Sequence, residues 1–160
     1  MKMEELRAGV RKSLPELAEI KNEDLRNKVV EAWALALSQS SFTKIDDMPC
    51  SGSPTSAVVV NFTQATHIRG TAILAVALYD SLEKLCGPLG ADRDLIWAAG
   101  LCHDVGKPFE YDPDNRARWE ADPSISGFPA IRHSVYGAHI ALTVGLPEEI
   151  AHVCGGHSKE

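Results

Sequence analysis

An all-α fold is expected for this chain of 160 residues from three features of its sequence. Apolar residues recur at three- and four-residue spacing over long stretches, the period that gives a helix one buried face. Helix-start residues (Asn22, Asp92) and stop signals (Cys86-Gly87-Pro88, Gly145-Leu146-Pro147) bracket those stretches. Strand signals are confined to one β-branched run, Val58-Val59-Val60, and to one hairpin-like stretch after residue 107.

In chain order, residues 4–12 read as one or two helical turns, and Pro15 opens another short helix. Asn22-Glu23-Asp24 caps a helix whose apolar face is Leu25, Val29, Ala32, Trp33, Ala36 and Leu37, ending near Ser40. This helix should pack on the rest of the molecule with Trp33 as its anchor. Residues 41–61 are irregular, with a turn-rich loop over 48–54. A long helix follows, from about Phe62 to Leu85, with Ile73, Leu74, Val76, Leu78 and Leu82 expected to be heavily buried. Asp92 begins the next, which runs to His103, and Ala98, Ala99 and Gly100 permit a close helix contact just before its end.

After Lys107 the prolines at 108, 113, 123 and 129 suggest about twenty-five residues outside helix. A short β-hairpin is expected there, with Asp112-Pro113-Asp114-Asn115 as its turn. Helix returns over about Ile131–Val144, and a last one runs from Pro147 toward His157. Residues 1–61 would form N-terminal helices and a connecting loop packed on a core of residues 62–160, in one globular domain.

Composition narrows the function classes. A net charge of −6 argues against a broad nucleic-acid surface, which is normally basic. No apolar run reaches the length of a membrane span, and the acidic start, Met1-Lys2-Met3-Glu4-Glu5-Leu6, lacks the apolar centre of a signal peptide. A cytoplasmic protein is expected. Cys50, Cys86, Cys102 and Cys154 form no paired-cysteine motif, and buried free thiols are the simplest state for them.

Chemistry concentrates in Leu101-Cys102-His103-Asp104-Val105-Gly106-Lys107, directly after an apolar helical run. Neighbouring His and Asp offer one ion an imidazole nitrogen and a carboxylate oxygen, a mixture suited to Zn, Mn, Fe or, less readily, Mg. A His-Asp pair alone is commonplace. It gains weight from His67 before it and His133 and His157 after it, each expected at a helix end and each one helix and one connection from the next. His139 and His152 read as surface histidines.

This order, together with Gly106-Lys107 and His133-Ser134-x-x-Gly137-Ala138, resembles the HD-domain superfamily of metal-dependent hydrolases over about residues 62–157. The resemblance implies that His67, His103 and Asp104 hold a first ion. It also implies that His133 and His157 hold a second, with Asp104 bridging the two. The family's late Asp ligand has no counterpart here. The sequence stops three residues after His157, Glu160 lies too near that histidine to match, and a truncated form is expected.

One or two divalent ions (Fe, Mn, Zn or Mg) are therefore expected, with Asp104 and Lys107 as catalytic residues. Lys107 would also hold a phosphate or a developing oxyanion, and Arg69 and Arg132 are weaker anion-binding candidates. The first functional expectation is hydrolysis of a small anionic metabolite, most simply a phosphate ester, by metal-activated water. The alternatives are a mixed-valent di-iron oxygenase cleaving C–C or C–P bonds, a carbonyl (C–C) hydrolase, and a binding module without turnover. A homodimer is the default assembly, and substrate selection is expected from residues 41–61 and 105–130.

Overall fold

The computed structural model describes residues 2–51, 57, 60–122, 129 and 131–158. It is mainly helical among these residues. Helices α1 (Met3–Ser13) and α2 (Glu23–Ser38) pack along one another, joined by a 3-10 turn at Pro15–Glu19. Asn22 caps α2 by accepting the main-chain N–H of Leu25 at 3.1 Å. Helix α3 (Gln64–Cys86) lies along α4 (Arg93–Cys102), and α7 (His133–Thr143) along α8 (Glu148–Gly156). Thr63 and Asp92 cap α3 and α4 with their side chains. One core of buried apolar side chains runs from Leu6 to Cys154 and includes Ile68, Leu101, Ile140 and Ile150.

Trp33 is 0 % exposed and does more than fill space. Its indole N–H donates to the carbonyl of Leu101 at 2.8 Å. That carbonyl belongs to the last turn of α4, where the helix leaves its own acceptors unpaired. The N-terminal part of the chain therefore braces the segment that carries His103 and Asp104.

No hairpin forms over residues 107–122, which corrects that part of the sequence reading. The same residues make two short helices, α5 (Lys107–Tyr111) and α6 (Pro113–Glu120). Asp112 and Pro113 start a helix instead of a hairpin turn. The Asp112 carboxylate accepts the N–H groups of Asp114 and Asn115 at 3.0 and 3.1 Å, and Pro113 fills the first helical position, where no N–H is required. Pro108 likewise sits in the first turn of α5. Among the described residues the nearest approach to a strand is an isolated bridge between Pro49 and Thr63. Of the run 58–60 only Val60 is described, and it is exposed. On α3, Val76 is buried, but Ile73, Leu74, Leu78 and Leu82 are exposed, against the heavy burial expected for them. Of the thiols, Cys50, Cys102 and Cys154 are buried, whereas Cys86 at the end of α3 is exposed. No helix among the described residues is long and apolar enough to cross a membrane.

Two glycines permit the backbone contacts that bring the helix ends together. A Cβ on Gly100 would lie 2.6 Å from Cα of Ala72, so α4 can approach α3 this closely only without one. A Cβ on Gly106 would lie 2.0 Å from the carbonyl oxygen of His133 and 2.6 Å from the nitrogen of Gly137. The turn after Asp104 is thereby pressed against the first turn of α7. Gly106→Ala should destabilise the protein by about 3 kcal/mol, the upper end for a side chain forced into packed structure, read from the midpoint of urea unfolding. An unchanged midpoint would mean that the contact is not required.

Asp112 supplies a second test. Burial alone would raise its carboxyl, but hydrogen bonds from Ser41, Asn115 and Asp114 hold it below the usual Asp value. Its stabilisation should thus be complete above about pH 4 and disappear as pH falls through the lower folded-state value. Asp112→Ala should cost about 1–2 kcal/mol at neutral pH and less in strong acid. Equal losses at both pH values in urea titrations would refute the capping role.

Candidate metal centre

Four helix ends deliver the side chains of the site. His67 lies in the first turn of α3, His103 just past the end of α4, His133 at the first position of α7, and His157 just past the end of α8. Asp104, 2 % exposed, stands in the turn between α4 and α5 and faces all four rings.

The two oxygens of Asp104 divide the histidines between them. Oδ2 lies 3.2 Å from Nε2 of His67 and 3.3 Å from Nε2 of His103, and those two nitrogens are 3.1 Å apart. Oδ1 lies 3.3 Å from Nε2 of His133 and 3.2 Å from Nε2 of His157, themselves 3.2 Å apart. The result is two nearly equilateral triangles joined through one carboxylate, the same two groups of residues able to hold an ion. Ligands about 2.0–2.1 Å from a tetrahedral zinc stand roughly 3.3 Å apart, and both triangles have that size.

Proton placement points the same way. The Nδ1 atoms of His103 and His157 face the main-chain carbonyls of Gly100 and Cys154, each at 2.8 Å. A carbonyl only accepts, so each Nδ1 carries the proton, which leaves Nε2 as the nitrogen whose lone pair a cation can take up. Nδ1 of His133 donates in the same way to Glu110, at 2.5 Å. Bare nitrogen lone pairs meeting one another and a carboxylate in a buried space call for a cation among them. The donor set fits divalent metal.

The carboxylates carry the matching electrostatics. Burial opposes the ionisation of Asp104, yet contacts from His103, His157 and His67 hold its carboxyl far below the usual range. Burial likewise opposes ionisation of Glu110, but His133 and Arg132 keep it below the ordinary Glu value. For His157, burial disfavours the charged ring, and the Asp104 carboxylate outweighs it, so its value is raised.

Lys107 is buried beside the same carboxylate. Its Nζ lies 2.7 Å from the carbonyl of Ser51, 3.2 Å from Oδ2 of Asp104 and 3.5 Å from Oε1 of Gln64. The ammonium faces Asp104 while tying loop residue Ser51 to the site. Tyr111 donates to the same carbonyl at 2.9 Å, and burial pushes its hydroxyl up to about 12. Gln64 donates to Oδ2 of Asp104 at 2.6 Å.

The two arginines named as anion-binding candidates are engaged by carboxylates. Arg69 is paired with Glu16, with Nε 2.9 Å from each carboxylate oxygen. Arg132 donates to Glu110 at 3.1 Å. Neither belongs to the two triangles.

Sequence reasoning missed Gln64, Tyr111 and Glu110. An acid between Phe109 and Tyr111, three residues after Lys107, was a signal that Glu110 is buried. Gln64 carried none beyond its place at a helix start. Of the segments expected to select substrate, residues 52–56, 58–59, 123–128 and 130 lie outside the described residues, as does Glu160.

A cleft of about 480 Å³ opens beside the first triangle. His67, His103 and His157 line it together with the uncharged side chains of Thr71, Ala75, Ile96, Ala99 and Val153. The His67 side chain is 36 % exposed and forms the rim of the site.

Asp104→Ala should abolish metal binding at both triangles, whereas His67→Ala should remove one ion and leave the other. Elemental analysis of purified protein tests this. Full metal content in the Asp104 variant would refute the shared-carboxylate arrangement.

The family model of the HD domain matches residues 65–160, more than half of the chain. No curated protein and no solved structure matches it.

Proposed function

Because the chain belongs to the HD-domain family, whose members are generally metal-dependent hydrolases, we propose that it hydrolyses a small anionic metabolite, with a phosphate ester as first choice. The observation that carries this reading is the pair of triangles sharing Asp104. Bound divalent ions would supply a water acidic enough to ionise near neutral pH and a Lewis acid for a phosphoryl or carbonyl oxygen.

The chain's own residues do the rest. Asp104, kept ionised, supplies one oxygen to each triangle. His67, His103, His133 and His157 hold their Nε2 atoms toward it, three of them with Nδ1 engaged by a fixed acceptor. Lys107 keeps a positive charge 3.2 Å from that carboxylate, where it can offset the charge of an incoming anion or a developing oxyanion. The uncharged walls of the cleft leave substrate charge to be met by the ions and Lys107. The anion enters through the cleft that His67, His103 and His157 line, where the His67 side chain is the most exposed of the four rings.

The test is release of phosphate from a chromogenic phosphate monoester by protein loaded with Zn, Mn, Fe or Mg, with and without oxygen. Metal-dependent release in both atmospheres is expected. Release of none with any metal would overturn the phosphohydrolase reading. Turnover only with iron and oxygen would move the assignment to the oxygenase. Lys107→Met should keep its metal content and lose about 100-fold in turnover, the scale for removing one electrostatic contact to a transition state. Unchanged turnover would assign Lys107 to anchoring Ser51 alone.

A further inference from the structure

Ligand count makes the two triangles equal, since each has two imidazoles and one oxygen of Asp104. Their supports are unequal. Behind His103 and His157 stand neutral main-chain carbonyls, and Nδ1 of His67 has no hydrogen-bond partner among the described residues. Behind His133 stands a carboxylate. Oε2 of Glu110 accepts from Nδ1 at 2.5 Å and also from the His133 main-chain N–H. Its other oxygen, Oε1, accepts from Arg132 at 3.1 Å.

Glu110 reaches His133 from a different helix, α5, and is 0 % exposed. Nothing in the hydrolytic reading uses it. A carboxylate in this position fixes the tautomer and plane of the ring and strengthens the opposite nitrogen as a donor. The side chains of His133 and His157 are 2 % and 21 % exposed, against 8 % and 36 % for His103 and His67.

We infer that Glu110 is a positioning residue that makes Asp104, His133 and His157 the tighter cation position, filled before that of His67, His103 and Asp104. The inference rests on the metal-binding reading of the site. In consequence the ion of His133 and His157 remains bound and that of His67 and His103 exchanges, so divalent cation concentration would govern the latter position alone.

Zinc titrated calorimetrically into the metal-free full chain tests the inference, with competing chelator to resolve two events. His133→Ala should remove the tighter event and His67→Ala the weaker. Glu110→Gln, close in shape but uncharged, should weaken the tighter event alone by about 10- to 100-fold. Circular dichroism of that variant should match the parent.

If Glu110→Gln leaves both events unchanged or weakens them equally, the inference is overturned while metal binding stands. If the tighter event disappears with His67→Ala, the order of filling is overturned. If the parent takes up no zinc, the metal reading fails and this inference with it. A measurement on the zinc-loaded parent needs no variant. Nitrogen and proton NMR should show His133 protonated at Nδ1, with that proton further downfield than those of His103 and His157. Three equivalent shifts would overturn the role of Glu110 even if the Gln variant failed to fold.

Discussion

A carboxylate that is almost fully buried and still ionised is the constraint on which this structure depends. Removing a charge from water costs several kcal/mol unless opposite charge and hydrogen bonds replace the solvent. Asp104 receives part of that replacement from Gln64 and the Lys107 ammonium, and the four imidazoles around it would hold the cations that supply the rest. These partners come from α3, α4, α5, α7 and α8 or from their flanking turns, so nearly every element after residue 62 must end at one place. Helix ends suit this purpose because a side chain there can project along the helix axis into a shared space.

Close backbone packing holds the ends in register. Gly100 lets α4 settle on Ala72 of α3, and Gly106 lets the turn after Asp104 settle on the carbonyl of His133. Both contacts lie within a few residues of Asp104, so the spacing of the triangles follows from them. Trp33 closes the arrangement from the N-terminal side by binding the Leu101 carbonyl. The polar centre is therefore supported by a rigid frame that takes no part in the chemistry, as an aligned set of ligands requires.

Much of this was legible in the sequence. Among the described residues the eight α-helices fall at or near positions that periodicity and capping residues indicate, apart from α5 and α6, where Asp112-Pro113 was ambiguous between a turn and a helix start. Both readings use a side-chain acceptor followed by a fixed φ, and only the pairing of that acceptor with Asp114 and Asn115 decides between them. The five ligand candidates were legible because imidazole and carboxylate chemistry is scarce and their order is distinctive. Arg69 and Arg132 were less so, because a guanidinium near a ligand in sequence carries no record of the carboxylate that takes it up. Glu16 is far from Arg69 along the chain, and Glu110 lies on another helix from Arg132.

By itself the sequence determined the helical class, the residues with metal chemistry and their placement at helix ends, since these depend on local propensity and side-chain type. Tertiary structure alone decided that each pair of histidines faces its own oxygen of Asp104, that Lys107 is buried against Ser51, and that Glu110 stands behind His133. Each of these is a contact between segments distant in the chain, or a choice between two atoms of one side chain. A one-dimensional pattern records the groups available for such contacts, and packing chooses among them.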